Sequence, residues 1–393
     1  MPEITTCPNC LKGAMNIFYE VRRVPVHSVL LMPTREIAVN FPKGDIALGR
    51  CSHCGFISNT VFDPTVHNYS GQYEETQGFS GTFQAFHRRL AEEMIAKYDL
   101  HGKKVIEIGC GKGEFLSLLC EMGNNSGVGF DPAFVAERNP SAGDSNVEFV
   151  ADFYGEKYTH VQGDFVCCKM TLEHIPDTSN FVSTVRRSVG DRYDTVIFFQ
   201  VPDMTRVLRD LAFWDIYYEH CSYFTADSLS LLFRESGFDV LDVWTDYDDQ
   251  YLMITAKPSR TSASEVEKPD PTQLDKDVEF FTKNQAERMA SWRARLEETK
   301  DNGKRAVVWG SGSKGVAFLT ALNLGNGSEI EYVVDINPYR AGKYMAGTGQ
   351  EIVAPAFLEQ YKPDLAIAMN PIYQPEIKAD LEKMGLTTEV VSV

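Results

Sequence analysis

Four cysteines stand in two pairs, Cys7-Pro8-Asn9-Cys10 and Cys51-Ser52-His53-Cys54. Each pair brackets two residues, the spacing of a tight knuckle that aims both thiolates at one ion. Two knuckles give the closed four-sulfur set of a structural zinc site, whereas a catalytic zinc keeps one position open for water. His53 reads as a spacer within its knuckle. The plain alternative is four free thiols paired by chance. The 40 residues between the pairs need a β-rich insertion, and the apolar stretches Val24–Leu31 and Ile46–Leu48 are expected to supply its strands.

A second constellation is Glu107-Ile108-Gly109-Cys110-Gly111-Lys112-Gly113, set between the apolar run from Lys104 to Ile108 and the helical pattern Phe115, Leu116, Leu118, Leu119. Glycines between a strand and a helix let the backbone pass close to a ligand and accept positive φ. The pattern differs from the dinucleotide fingerprint G-x-G-x-x-G and resembles motif I of class I S-adenosylmethionine (SAM)-dependent methyltransferases. That resemblance implies a loop under the methionine part of SAM, with Glu107, Gly109, Gly111 and Gly113 as cofactor residues. Asp131 closes the next strand, 24 positions after Glu107, near the offset of a ribose-binding acid. A Rossmann-like domain without cofactor is the alternative. Asp152, after the third strand, is either near the adenine or a solvated loop acid.

Two histidine segments follow. His174, in Thr171-Leu172-Glu173-His174-Ile175-Pro176, comes directly after a strand. In an open α/β sheet that end faces the ligand crevice, although a histidine held by local backbone fits as well. The other segment is Tyr217-Tyr218-Glu219-His220-Cys221-Ser222-Tyr223-Phe224-Thr225. An adjacent Glu219 and His220 in a half-buried segment are costly unless they pair, and pairing would tune the imidazole for general-base work. A surface turn with incidental charges is the competing reading.

These residues need a scaffold. A helix over Phe83–Tyr98 is expected from Phe83, Phe86, Leu90 and Met94 on one face. Strands are expected at Gly127–Phe130, Val147–Val150, Phe165–Met170 and Thr195–Val201, then a final antiparallel pair at Phe238–Trp244 and Tyr251–Ala256. The alternation predicts a doubly wound, mostly parallel α/β sheet. Pro258–Pro271 reads as a linker, and an amphipathic helix with Val278, Phe281, Met289, Trp292 and Leu296 on one side should follow it. Beyond it, Arg305–Trp309 runs into Gly310-Ser311-Gly312-Ser313-Lys314-Gly315 and a helix over Val316–Leu322. Further strands are expected at Tyr332–Asp335 and Leu365–Met369. This is a second, Rossmann-like unit. It is either a mononucleotide or phosphate site with Lys314 at the phosphate, or a half-fold that walls a substrate cleft; a dehydrogenase is a poorer fit, because no second nucleotide half is visible.

The 393 residues suggest two or three domains. The net charge of −17 repels phosphate backbones, and no basic patch offsets it, so nucleic acid is not expected as a partner. No apolar run approaches the roughly 20 residues of a membrane span. The N-terminus does not read as a signal peptide. Reduced thiols and a cytoplasmic, monomeric protein are therefore expected.

The order of parts resembles the sugar C-methyltransferase family, whose best-known members are sugar-nucleotide 3-C-methyltransferases of deoxysugar biosynthesis. The resemblance rests on Cys7/Cys10/Cys51/Cys54, Glu107–Gly113, Tyr217–Phe224 and Val333-Val334-Asp335-Ile336-Asn337-Pro338 with Gly342-Lys343-Tyr344, and it covers essentially the whole chain. It implies a zinc-binding module (1–68), a class I methyltransferase domain (69–258) and a C-terminal Rossmann-like domain (259–393). It also implies a nucleotide-linked 4-keto-6-deoxyhexose as substrate, deprotonated beside its ketone so that the enolate carbon takes the methyl of SAM. His220 becomes the base, with Glu219 as its neighbour. Tyr217 and His174 become further active-site groups, and Tyr73, or else Tyr69, an aromatic facing the sugar. An O- or N-methyltransferase of another small metabolite, or a non-catalytic zinc-stapled scaffold, are the remaining alternatives.

Overall fold

Three sheets organise the computed structural model, which describes residues 5–66, 72–139, 141–261, 269–325 and 329–393. The first is antiparallel. It joins β1 (Met15–Pro25), β2 (Lys43–Cys51) and β3 (Ile57–Asn59), with Met15 opposite Cys51, so the start of β1 lies beside the second cysteine knuckle. The expected strand over Val24–Leu31 is not formed. β1 ends at Pro25, which has no N–H to continue a ladder, and the next residues turn away to bind other groups. Ile46–Leu48 lies within β2 as expected.

The second sheet contains β4 (Lys104–Ile108), β5 (Ser126–Phe130), β6 (Val147–Val150), β7 (Phe165–Lys169) and β8 (Val196–Pro202), all parallel. A short strand, β9 (Ser222–Tyr223), leaves this region and pairs with β3 as the fourth strand of the first sheet. β10 (Phe238–Asp246) and β11 (Tyr251–Pro258) complete the second sheet in the order β10-β11-β8-β7-β4-β5-β6, with β11 antiparallel to both neighbours. This order, with one reversed strand second from the edge, is the class I SAM methyltransferase sheet. β4, β7 and β8 are apolar and buried along almost their whole length, as strands covered on both faces must be. The helix Gly81–Tyr98 packs Phe83, Phe86, Leu90 and Met94 inward, and the side chain of Ser80 accepts from Phe83 N to cap its first turn.

The third sheet is parallel throughout. Its strands are β12 (Ala306–Trp309), β13 (Ile330–Val334), β14 (Glu351–Val353), β15 (Leu365–Ala368) and β16 (Glu389–Ser392), in the order β14-β13-β12-β15-β16. The helix Thr272–Asp301 precedes it and buries Phe281, Trp292 and Leu296, with Val278 packed against the same core. Of the expected linker Pro258–Pro271, residues 262–268 lie outside the described ones. One core runs from the first sheet through Phe213, Trp214 and Tyr218 to Phe318 and Val333 of the third.

Candidate active site

Each cysteine pair caps a turn. Leu11 N donates to Cys7 O at 2.9 Å, and Gly55 N to Cys51 O at 3.2 Å, with Gly55 at φ 74°. The four sulfurs converge and are buried. Cys7 Sγ lies 3.6 Å from Cys54 Sγ, and Cys10 Sγ 3.7 Å from Cys51 Sγ. Four thiolates about 2.3 Å from one tetrahedral zinc would be about 3.8 Å apart, so the spacing suits a shared ion and is far too long for disulfides. The backbone N–H groups of His53 and Cys54 donate to Cys51 Sγ, at 3.3 and 3.4 Å. The ring of His53 is not part of the cluster.

At the carboxyl end of the second sheet, Gly109 and Gly111 have φ of 71° and 54°. A Cβ at Gly109 would meet Thr171 Oγ1 at 1.9 Å, so neither position tolerates a side chain. Asp131 Oδ2 accepts from Gly111 N at 2.8 Å, which fixes the acid against the loop. Lys112 is buried and donates to the carbonyls of Tyr73 and Ala133, both at 2.9 Å, pinning the segment around Tyr73 onto the glycine loop. This brings in Glu75, which sequence reasoning missed. Its carboxylate lies over Gly111 and 3.4 Å from Lys112 Nζ, and neither oxygen accepts a hydrogen bond. Burial raises its pKa to about 7, against the downward pull of Lys112. Glu107 is raised too, by burial, with Lys169 opposing. A buried carboxyl and a half-buried one, both short of partners, suit a ligand that carries positive charge, as SAM does on its ammonium and sulfonium. Asp152 does not join them: it pairs at the surface with Lys157 and Tyr158.

The two histidine segments are stitched together. Cys221 N donates to Glu173 O at 3.0 Å, and the Nδ1 of His174 lies 3.0 Å from Glu219 O. The rings of His174 and His220 are 4.8 Å apart at 82°. His220 Nε2 lies 2.9 Å from the hydroxyl of Tyr217, while its Nδ1 has no hydrogen-bond partner. Burial holds His220 well below the usual imidazole range, with His174 and Lys314 adding to the effect, so the ring is neutral at neutral pH. Burial likewise lowers His174, to about 4, and keeps Tyr217 a neutral phenol.

The expected Glu219–His220 pairing is not formed. The carboxylate of Glu219 turns to the N-terminal segment, where it accepts from Ser28 N at 2.9 Å and Ser28 Oγ at 2.5 Å, with His27 Nδ1 at 3.5 Å. Burial works to raise its pKa, but these contacts win and lower it. Neighbouring residues of a tight turn point apart, so adjacency in sequence did not become adjacency in space. The carboxyl near His220 is instead Glu173, its Oε1 3.9 Å from His220 Nε2.

His220, His174, Tyr217, Tyr73, the glycine loop and Asp131 line one cavity of about 500 Å³, and Gly310, Gly312 and Lys314 of the third sheet close its other side. Tyr69 lies outside the described residues. Lys314 does not present a free ammonium to a phosphate. It is held by Asp215 Oδ1 at 2.9 Å and Gln250 Oε1 at 2.9 Å, and Asp215 also binds Arg206 at 2.8 Å. In the second glycine loop Asp335 is already satisfied, by Ser311 N at 2.9 Å and Ser311 Oγ at 2.5 Å.

Comparison with known proteins fits this geometry. Residues 80–243 match a family described as "Methyltransferase domain", and residues 257–389 match "C-methyltransferase C-terminal domain". The C-methyltransferase NovU of Streptomyces niveus is 28% identical over 347 residues, 83% of this chain and 80% of that protein. The chain thus carries a methyltransferase domain followed by a C-methyltransferase C-terminal domain. It is a SAM-dependent methyltransferase whose second sheet falls largely within the matched methyltransferase domain and whose third sheet falls largely within the matched C-terminal domain. A ubiquinone biosynthesis O-methyltransferase of Citrobacter koseri is 32% identical over 144 residues, but these are 32% of this methyltransferase and 58% of that protein. A solved Burkholderia thailandensis 1,6-didemethyltoxoflavin-N1-methyltransferase aligns with TM-score 0.36 and 19% identity, over 44% of this chain and 78% of its own. Among the described residues, no helix is long and apolar enough to cross a membrane.

Proposed function

We propose that this C-methyltransferase acts on a nucleotide-activated keto-deoxysugar. It would remove the proton beside the ketone and deliver a methyl group to the resulting carbon. The observation that carries the reading is the sharing of one cavity by a neutral, buried imidazole, the Gly109–Lys112 segment of the first glycine loop and the second glycine loop. A base and a methyl-donor site serve C-methylation only if they reach the same carbon.

Gly109, Gly111, Gly113, Glu107 and Asp131, with Glu75, would hold SAM. When bound, SAM supplies an electrophilic methyl on a sulfonium. His220 takes the proton from the carbon next to the ketone. The C–H electron pair becomes the C=C of an enolate, and that carbon then forms the new C–C bond. Tyr217, a neutral phenol 2.9 Å from His220, donates toward the enolate oxygen, and His174, fixed by Glu219 O, faces the same space. Alignment of carbon, base and donor in a closed cavity supplies most of the acceleration. Glu219 acts as a positioning residue. Tyr73, held on the loop by Lys112, contributes a sugar-facing wall. Lys314, neutralised by Asp215, shapes the acceptor side without offering a free charge. The four cysteines would hold a structural zinc ion.

We read the chain as three parts, 1–68, 69–258 and 259–393, working as a cytoplasmic monomer with a small-molecule acceptor and no nucleic-acid or membrane partner. The charge of −17 supports the last point. The test uses dTDP-4-keto-6-deoxyglucose and related sugars in deuterated water with S-adenosylhomocysteine. Deuterium should enter beside the ketone, and SAM should convert the sugar to a product whose NMR spectrum shows a C–CH₃ bond. His220→Asn should abolish both while binding S-adenosylhomocysteine within twofold of the parent. Absence of exchange and product with every nucleotide keto sugar would end the proposal, and an O- or N-linked methyl would redirect it.

A further inference from the structure

Outside the groups already given a role, the cavity holds one carboxyl that nothing accounts for. Glu173 is 1% exposed, it lines the cavity, and neither of its oxygens has a hydrogen-bond partner. A buried carboxyl without partners is unfavourable, so its retention at this place asks for a compensating use. Its position is closely determined. The residues Leu172–His174 form one short helical turn after β7, and this turn is bonded to the His220 loop at two successive residues, through Cys221 N to Glu173 O and through His174 Nδ1 to Glu219 O. The carboxyl is thereby aimed at His220 Nε2, 3.9 Å away.

The second observation concerns the imidazole. Its acidic sequence neighbour, Glu219, is spent on Ser28 and His27. His220 is left with a phenol on Nε2 and nothing on Nδ1. A ring in that setting accepts a proton poorly, because the imidazolium it forms has no counter-charge. We propose that Glu173, and not Glu219, is the acidic partner of His220: a positioning residue that neutralises the imidazolium formed when His220 takes the proton of the acceptor. The inference rests on the reading of His220 as the base.

The step balances. The acceptor C–H proton passes to His220, the C–H electron pair enters the enolate, and the positive charge on the ring is met by the negative charge of Glu173. After methyl transfer the same proton leaves to solvent. Burial raises Glu173 to about 8, so its charge develops in the mildly alkaline range. The groups that face it are His220, His174, Tyr217, Tyr251, Cys168 and Cys221. Burial lowers both histidines and raises the tyrosines and thiols, Tyr251 and Cys221 to about 12 and Tyr217 and Cys168 well above their ordinary values. Among the described residues Glu173 is therefore the group of this set that titrates near pH 8.

The experiment compares the full-length parent with Glu173→Gln and Glu219→Gln in the deuterium-exchange assay, from pH 6 to 9.5, with S-adenosylhomocysteine bound. The parent should show exchange that rises through an inflection near pH 8. Glu173→Gln should bind S-adenosylhomocysteine and the acceptor within threefold of the parent, lose at least 30-fold in exchange rate and lose the inflection; Glu173→Asp should restore the inflection in part. Glu219→Gln should keep it. Exchange by Glu173→Gln within threefold of the parent, with the inflection intact, would overturn the inference. A second readout needs no turnover: nitrogen-15 NMR of the His220 ring should show a shift inflection near pH 8 in the parent, as the neighbouring carboxyl ionises, that is absent in Glu173→Gln, and a parent ring without that inflection would overturn it as well. If Glu173→Gln does not fold, the parent ring decides alone, since its titration must carry a second inflection near pH 8. A parent that exchanges no sugar at any pH condemns the reading of His220 as base, whereas a parent that exchanges while Glu173→Gln is unaltered condemns only the role of Glu173.

Discussion

Binding of SAM should depend on the protonation of Glu75. The carboxyl lies over Gly111 with both oxygens unbonded and 29% of its side chain exposed, and burial lifts it to about 7. A cationic ligand beside it favours the ionised form, so binding is strongest when the proton is already off. At pH 8 about nine-tenths of Glu75 is ionised; at pH 6 only about one-tenth is. The dissociation constant should then weaken up to about tenfold between pH 8 and 6, about 1.4 kcal/mol at most, with some discount for the part of the side chain that water still screens. The sign follows from linkage: the ligand prefers the state with fewer protons, so protons are released on binding and affinity rises with pH. Calorimetry in two buffers of different ionisation heat measures the release directly. About half a proton should leave Glu75 at pH 7, falling to none above pH 9. Glu75→Gln should bind more weakly at pH 8 and remove the tenfold slope, leaving only what Glu107 contributes. A parent whose affinity is flat from pH 6 to 8, with no proton released, would refute the assignment of Glu75 to the cofactor.

Other outcomes follow from single contacts. Metal analysis should find about one zinc per chain, and Cys51→Ser, which removes the sulfur that accepts from His53 N and Cys54 N, should lower the melting temperature by roughly 10 °C or more. Asp215→Ala removes the carboxylate shared by Lys314 and Arg206, leaving them only Gln250 and Asp210, and should cost about 2–4 kcal/mol in urea unfolding; Asp215→Ala combined with Lys314→Met should recover part of it. Glu376 accepts from Ser80 Oγ and Thr82 Oγ1, both at 2.7 Å, at the start of the helix Gly81–Tyr98. Despite its burial, these bonds hold its pKa below the usual carboxylate value. Its contribution, about 1 kcal/mol, is therefore present above pH 4.5 and lost as pH falls through its lowered pKa, and Glu376→Gln should flatten that part of the stability–pH curve.

Much of the scaffold was legible because each element carried its own signal. The glycine pattern between β4 and the next helix, the acid at Asp131 and the late antiparallel pair of strands all depend on short-range backbone requirements. The cysteine cluster was legible for the same reason, since a two-residue spacer closes a turn wherever it occurs. The strand expected over Val24–Leu31 failed because apolar content does not reveal long-range partners: His27 and Ser28 leave the sheet for a carboxylate 191 positions away. Lys314 misled in the same way. A lysine in a glycine loop suggests a phosphate, but Asp215, 99 positions earlier, had already claimed it. Glu75 and Glu173 gave no signal, because an acid becomes unusual only when its partners are known to be missing. Glu173 was visible beside His174, yet its use depends on a histidine 47 positions later.

The same reasoning turns Glu219 from a catalytic candidate into a junction. Its carboxylate binds Ser28, and Ser28 Oγ lies 2.7 Å from Ser313 Oγ at the start of the helix that follows the second glycine loop. Its carbonyl holds His174. One buried residue thus joins the N-terminal segment, the histidine loop and the third-sheet domain. Glu219→Ala removes the acceptor of two hydrogen bonds and leaves Ser28 N–H buried without a partner, which should cost about 3–5 kcal/mol. Glu219→Gln keeps one acceptor and the side-chain volume, and should cost about 1–2 kcal/mol. Activity should follow in the same order while S-adenosylhomocysteine binding stays within a few-fold, because the glycine loop and Asp131 do not touch this carboxylate. Urea unfolding and calorimetry on the two variants decide it. An alanine variant within 1 kcal/mol of the parent would mean that the three segments hold their places without Glu219, and that the orientation of His220 is set elsewhere.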